Sequence, residues 1–273
     1  MKKLIQYFLL IFTPFTFFSL QGFAAESSEL NLVTEEVAYT DGDITMNGYI
    51  AYDDSIKGKR PGVIVVHEWW GHNDYTRKRA KMLAKQGFTA IALDMYGNGK
   101  NTDHPKDAKA FATAVRKNMD MGQNRFEAGM KLLQSHETVN PDKISAAGYC
   151  FGGGVVLDML RRGVDLDLVG VFHGGLKTGK KAQDGSLNGK KVMVFNGADD
   201  RSVKLEDLQN FIGEMSSAKA DITIVNYPNT VHAFTNPDAT SIGKRLNFGN
   251  LRYNPEADKD SWVKFSSALE GLY

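Results

Sequence analysis

Short apolar runs, separated by stretches of helical pattern, constrain this chain more than any other feature. PGVIVVHEWW, FTAIALDMY, KISAAGYC, DLVGVFHGG and KKVMVFNGADD each hold a nearly continuous apolar block, as expected of strands covered on both faces. Between and after them lie segments of helical period. DYTRKRAKMLAKQ follows a cap at Asn73 or Asp74 and stops at Gly87. Helical pattern also runs over 106–117, from Gly122 to about Glu137, and through GGGVVLDMLRR and LEDLQNFIGEMSSAKA. DITIVNYPNT reads as a final strand, and a last helix runs from about Glu256 to Leu272. NLVTEEVAYT and ITMNGYIAY, joined by Asp41-Gly42-Asp43, read as an antiparallel strand pair in front. The alternation predicts an α/β fold: a mostly parallel central sheet of about eight strands with helices on both faces. In such sheets the active groups gather beyond the carboxyl ends of the strands.

Residues 1–24 read as a signal peptide. Lys2 and Lys3 precede an apolar stretch from Leu4 to about Leu20, and Gly22 and Ala24 suit a signal peptidase site. An uncleaved anchor is the rival reading, but Gln6 and Pro14 interrupt a run already short for a span. No cysteine follows the cleavage site, so nothing suggests a lipid anchor. Residues 25–273 are expected to form a single domain, periplasmic or secreted, with no stable membrane association once the leader is removed. The formal net charge of the full chain is +1. That balance argues against a nucleic-acid partner, which normally requires a basic footprint.

The chain has one cysteine, Cys150, so no internal disulfide is possible. It sits in GYCFGGG, where Gly148-Tyr149-Cys150-Phe151-Gly152 fits the G-x-nucleophile-x-G elbow usually written with serine. A sharp strand-to-helix turn strains the nucleophile's backbone, and the flanking glycines let other chain segments approach. The turn also presents the side chain to a helix start, whose free N–H groups favour negative charge. Two other readings exist: a small buried residue, or a phosphate-binding turn. The second calls for G-x-G-x-x-G after the first strand, and this turn has neither that pattern nor that place.

Polar groups stand at three further strand ends: His67-Glu68, Asp199-Asp200 and His232. Nucleophile, acid and histidine follow in that order in α/β-hydrolases, and Cys150, Asp200 and His232 supply it. Asp199 is the alternative acid; adjacent side chains point to different sides, so both cannot serve. Of the six histidines, His67, His72 and His173 lie near strand ends and are expected to line or support the pocket. His104 and His136 fall away from it. HEWWGH places His67 and His72 five residues apart, which is not the H-E-x-x-H spacing, and no metal is expected.

Together these residues resemble the dienelactone hydrolase family of α/β-hydrolases. VIVVHEWWG, IALDMYG, AAGYCFGGG, NGADDRSV, YPNTVHAF and the tail YNPEADKDSW carry the likeness across nearly all of residues 25–273. The resemblance implies an α/β-hydrolase fold, no cofactor, a small-molecule ester or lactone substrate, and a Cys150–Asp200–His232 triad. It also implies that Glu68 hydrogen-bonds the resting thiol and takes its proton when substrate displaces it. The backbone N–H groups of Trp69 and Phe151 would form the oxyanion hole. Trp70, Asn98, His173 and Asn236 are the expected pocket residues.

Two departures bear on substrate. Dienelactone-cleaving members hold the substrate carboxylate with two arginines, at positions that are Asn98 and Asn236 in this chain. Asparagine cannot replace the bidentate guanidinium, which argues against dienelactone itself; Lys100 is a candidate replacement cation. A monomer or weak dimer is expected. The rival functions are a non-catalytic binding module and a thioester or peptide hydrolase on the same fold.

Overall fold

The structure is a computed structural model that describes residues 29–273; the leader reading of residues 1–24 falls outside that range. An eight-stranded sheet is ordered β1-β2-β4-β3-β5-β6-β7-β8. Strands β1 (Leu32–Asp41) and β2 (Ile44–Asp53) form the expected hairpin, and β2 also runs antiparallel to β4 (Thr89–Leu93). All other neighbours are parallel: β3 (Arg60–Val66), β5 (Val139–Tyr149), β6 (Leu168–Phe172), β7 (Lys191–Gly197) and β8 (Asp221–Tyr227).

The apolar runs are continuous because both sheet faces are covered. Along β3, Val63 and Val65 enter one core while Ile64 and Val66 enter the other, the alternation that the pleat imposes. Helices α1 (Asp74–Ala84) and α7 (Pro255–Glu270) cover the first face through Leu83, Ala84, Phe265 and Leu269. On the second face lie α2 (Pro105–Lys117), α3 (Met119–Ser135), α4 (Phe151–Arg161) and α5 (Leu205–Ser217). They contribute Val115, Phe126, Leu133, Val156, Leu160 and Phe211. Each such side chain, fully buried, contributes about 1.5–3 kcal/mol. Asn73 caps α1 by accepting from the Thr76 amide, and Asn254 caps α7 ahead of Pro255.

Two elements depart from the sequence expectation. Strand β5 starts at Val139 rather than near Lys143, because pairing with β3 jumps from Pro61–Asn140 to Gly62–Ile144. The intervening Pro141 lacks an N–H for the ladder, which hides the first part of the strand. A short helix, α6 (Ala239–Leu246), occupies a stretch for which the sequence reading has no element. Its Thr240, Ser241 and Gly243 are poor helix formers, so propensity gives no signal there. A close approach holds it instead: a Cβ on Gly243 would lie 2.5 Å from the Leu251 carbonyl oxygen.

Candidate active site

Cys150 occupies the single residue between β5 and α4, at φ 53° and ψ −109°. That conformation costs a non-glycine residue about 1–3 kcal/mol, and its neighbours leave it no alternative. A Cβ on Gly148 would lie 2.1 Å from the Gly152 carbonyl oxygen, and one on Gly152 would lie 2.3 Å from that of Val66. The Gly152 amide donates to the His67 carbonyl at 3.1 Å, which ties α4's first turn to the end of β3. The elbow inferred from GYCFG is therefore the observed turn.

Three strand ends bring the expected polar groups to this turn. Cys150 Sγ is 3.0 Å from His232 Nε2, and His232 Nδ1 is 2.7 Å from Asp200 Oδ2. Asp200 rather than Asp199 makes this contact; Asp200 is buried, while Asp199 is exposed. Asp200 Oδ1 in turn accepts from the Ser202 amide at 2.8 Å and from Asn250 Nδ2 at 2.9 Å. Burial opposes ionisation of Asp200. It is outweighed by the hydrogen bond and charge of His232, then by Ser202 and Asn250, which hold the carboxyl well below its usual range. Burial likewise disfavours a charged His232. Cys150 and Asp200 override it and raise the imidazole well above its ordinary pKa.

Glu68 lies just past β3 and is 2% exposed. Its Oε2 accepts from Asn236 Nδ2 at 2.6 Å. Burial pushes its pKa up to about 7 against the lowering effects of Asn236, His232 and Arg79. The resemblance implied a Glu68 bond to the resting thiol, and the geometry differs. Cys150 faces His232, and Asn236 occupies Glu68. Asn236 therefore positions a carboxyl beneath the site, and does not line the cavity at Cys150.

Of the two roles expected for His173, lining or supporting the pocket, the structure has the supporting one. It is buried behind the elbow, where its Nδ1 accepts from the Cys150 amide at 3.1 Å and its Nε2 faces Thr235 Oγ1 at 2.8 Å. Because Nδ1 accepts, Nε2 carries the proton and donates to Thr235. His67 is a second buried support. Its Nε2 accepts from the Met95 amide at 3.2 Å, its Nδ1 donates to the Glu68 carbonyl at 2.5 Å, and burial lowers its pKa to about 4. His72 is buried too and contacts the Asn47 carbonyl through Nδ1 at 2.6 Å.

A cavity of about 730 Å³ opens at Cys150 and Phe151. Asn98 is not part of its wall; that residue is exposed, with its amide bonded to the Thr45 carbonyl at 2.6 Å on the β2 side. Lys100 is exposed and absent from the wall as well. Trp70 and Asn236 instead face a separate cavity of about 220 Å³. Trp69, the residue before Trp70, packs against it with ring centroids 4.8 Å apart. Its amide and that of Phe151 donate to no acceptor among the described residues.

The sequence reading missed three supports. Asn250 holds Asp200, Thr235 holds His173, and Arg116 stands with its guanidinium carbon 5.5 Å from the centre of the Phe151 ring. Asn250 and Thr235 lie in or beside irregular segments, and Arg116 ends a helix. Nothing in the local pattern connects them with Cys150.

An elbow between a parallel strand and a helix, with acid and histidine on loops after later strands, defines an α/β-hydrolase. The family model described as the Dienelactone hydrolase family matches residues 46–272. Protein usf of Aquifex pyrophilus is 27% identical over 83% of this chain and 93% of its own length. A Synechocystis protein named as a candidate carboxymethylenebutenolidase is 24% identical over 88% of this chain and 98% of its own. Among solved structures, a dienelactone hydrolase-like promiscuous phosphotriesterase from metagenomic libraries superposes with a TM-score of 0.81. It is 31% identical and covers 88% of this chain and 98% of its own. The chain belongs to the dienelactone hydrolase family and is a hydrolase of esters or lactones.

Proposed function

We propose that the chain is an exported carboxylic ester or lactone hydrolase that works through Cys150 as nucleophile. The observation that carries the reading is the continuous contact from Cys150 Sγ through His232 to Asp200. In the first half-reaction His232 takes the thiol proton and the sulfur attacks the ester carbonyl. The oxyanion of the tetrahedral intermediate rests on the amides of Trp69 and Phe151, each such donor contributing about 3 kcal/mol to the transition state. Collapse breaks the C–O bond, and His232 returns its proton to the leaving alcohol or the opened lactone oxygen. In the second half-reaction His232 deprotonates water, which attacks the thioester and regenerates the thiol with release of the acid. Asp200 keeps the imidazole in one tautomer and stabilises its charged form. Glu68, with a pKa near neutrality, sets the charge beneath His232 and is itself a candidate proton acceptor.

Export rests on the pattern of residues 1–24, and the mature protein acts as a monomer or weak dimer free of the membrane. A panel of lactones, 4-nitrophenyl esters and thioesters, run on wild type and Cys150→Ala, tests the proposal. The expected result is hydrolysis of oxygen esters or lactones by wild type and none by the variant. Undiminished activity in Cys150→Ala would remove the sulfur from the mechanism.

A further inference from the structure

The cavity at Cys150 carries an unbalanced charge. Arg116, Lys117, Arg162, Lys177 and Lys180 line it, against Asp120 and Asp158. Both acids are already engaged. Asp120 pairs with Arg162 at 2.7 Å, and Asp158 pairs with Arg161 at 3.2 Å and accepts from Thr178 at 2.7 Å. Lys177 is 3.5 Å from Asp207. Arg116, Lys117 and Lys180 have no carboxylate partner among the described residues.

Arg116, Lys117 and Lys180 are exposed, so solvent moderates their mutual repulsion, yet three cations facing one concavity without counter-charge still favour an anion there. The fold nonetheless draws them together from separate elements. Arg116 and Lys117 end α2, and Lys180 comes from the loop after β6. Gly175 and Gly179 line the same cavity, and a Cβ built on either meets nothing within 4 Å. Arg116 lies over the ring of Phe151 and lines the same cavity as Cys150.

We infer that this wall is an anion subsite, and that the substrate is an ester or lactone bearing a polyanionic group, a phosphomonoester or a polycarboxylate, held by Arg116, Lys117 and Lys180. The inference deepens the proposed function and rests on it for the word substrate. The subsite is separate from Asn98 and Asn236, which do not reach this cavity. One carboxylate would need one of these cations; three unpaired ones match a group of two or more charges.

Alkylation of Cys150 by neutral iodoacetamide tests the inference without requiring turnover, because the chain has no other thiol. Pyrophosphate and citrate serve as protecting anions. Wild type should be protected by at least one of them, and the more effective anion identifies phosphate or carboxylate as the favoured group. The variant R116Q/K117Q/K180Q should need about tenfold more anion or greater for the same protection. His232 attracts anions in both proteins, so only the difference between them reads the subsite. Should the variant fail to fold, the single variants K117Q and K180Q, at exposed positions, should each still need about twofold more anion or greater than wild type for the same protection. Protection by neither anion, or protection in the variants equal to that of wild type, would overturn the inference. Turnover of 4-nitrophenyl butyrate by the same preparation stands apart. Its absence alongside intact protection would defeat the hydrolase mechanism and leave the anion subsite standing.

Discussion

His173 Nδ1 accepts a hydrogen bond from the backbone N–H of Cys150 at 3.1 Å, so Cys150 is held from behind by a second histidine. The same amide also donates to the Phe172 carbonyl at 2.9 Å. Burial, then the charge of His232, push the His173 pKa well below its ordinary value, which keeps the ring neutral. From Nε2 the network runs to Thr235 Oγ1, on to Tyr75 Oη at 2.6 Å, and to Arg79 Nε at 3.2 Å. Helix α1, on one face of the sheet, is thereby connected to the strained residue at the carboxyl end of the central strand β5.

The role of His173 is positional and needs an acceptor. His173→Asn can offer an amide oxygen where Nδ1 stood, whereas His173→Leu offers nothing. His173→Leu leaves the Cys150 amide only the Phe172 carbonyl; losing one of two hydrogen bonds costs about 0.5–1.5 kcal/mol, so His173→Leu should lower kcat about two- to tenfold with little change in KM. His173→Asn should recover most of that loss. Steady-state kinetics on folded variants check this, and equal kcat values for the two would deny the positional role.

The choice between neighbouring acids is equally testable. Asp200→Asn should cost about three to four orders of magnitude in kcat, because the amide favours the wrong imidazole tautomer. Asp199→Asn should stay within about twofold, as expected of an exposed side chain away from such features. Asn250→Ala should fall between them, since it removes one of the donors to Asp200 Oδ1.

Glu68 makes stability fall as pH rises. Its pKa is about 7 in the folded chain against an ordinary value of 4.5, so the native state binds the extra proton. The resulting stabilisation is complete below about pH 4.5 and is lost as pH climbs through 7. The difference is on the order of 3 kcal/mol. Glu68→Gln keeps an oxygen for Asn236 and has no proton to lose. Its stability relative to wild type, read from urea midpoints, should therefore improve between pH 4.5 and pH 8. A constant difference across that range would mean that Glu68 titrates normally.

Arg79 is the buried cation of the opposite face. Its Nη2 donates to the Thr235 carbonyl at 2.7 Å and to Asp258 at 2.5 Å, and its guanidinium lies over the rings of Tyr75, Tyr149 and Trp262. Arg79→Met leaves that carbonyl without its guanidinium donor and Asp258 without its charged partner, only Tyr253 Oη still donating to it. Breaking one side of a buried pair costs about 3–5 kcal/mol, and urea unfolding should show a loss of that size.

Much of the sheet was legible because β3, β4, β6 and β7 are covered on both faces and so read as plain apolar runs. The same logic failed where packing, rather than local pattern, decides the outcome. Pro141 obscures the start of β5, and α6 forms from poor helix formers held by the close approach of Gly243 to Leu251. At the site, Cys150, Asp200 and His232 were readable from their order at strand ends. Partners that depend on three-dimensional proximity were not. His173 and Asn236 were placed near the site for the right topological reason, but their partners there could not be read from the sequence. The first supports the elbow, and the second binds Glu68. Arg116 and Lys180 are remote in sequence and meet only because α2 ends beside the loop after β6.

The most direct test of the proposed nucleophile is to catch its acyl intermediate. Wild type mixed with 4-nitrophenyl acetate and quenched in acid within the first turnover should carry one acetyl group, mapped by peptide mass spectrometry to Cys150. A burst of nitrophenol matching the enzyme concentration should accompany it wherever hydrolysis of the thioester is the slower step. Turnover with no acetyl on that sulfur at any quench time, together with full activity in Cys150→Ala, would contradict the account.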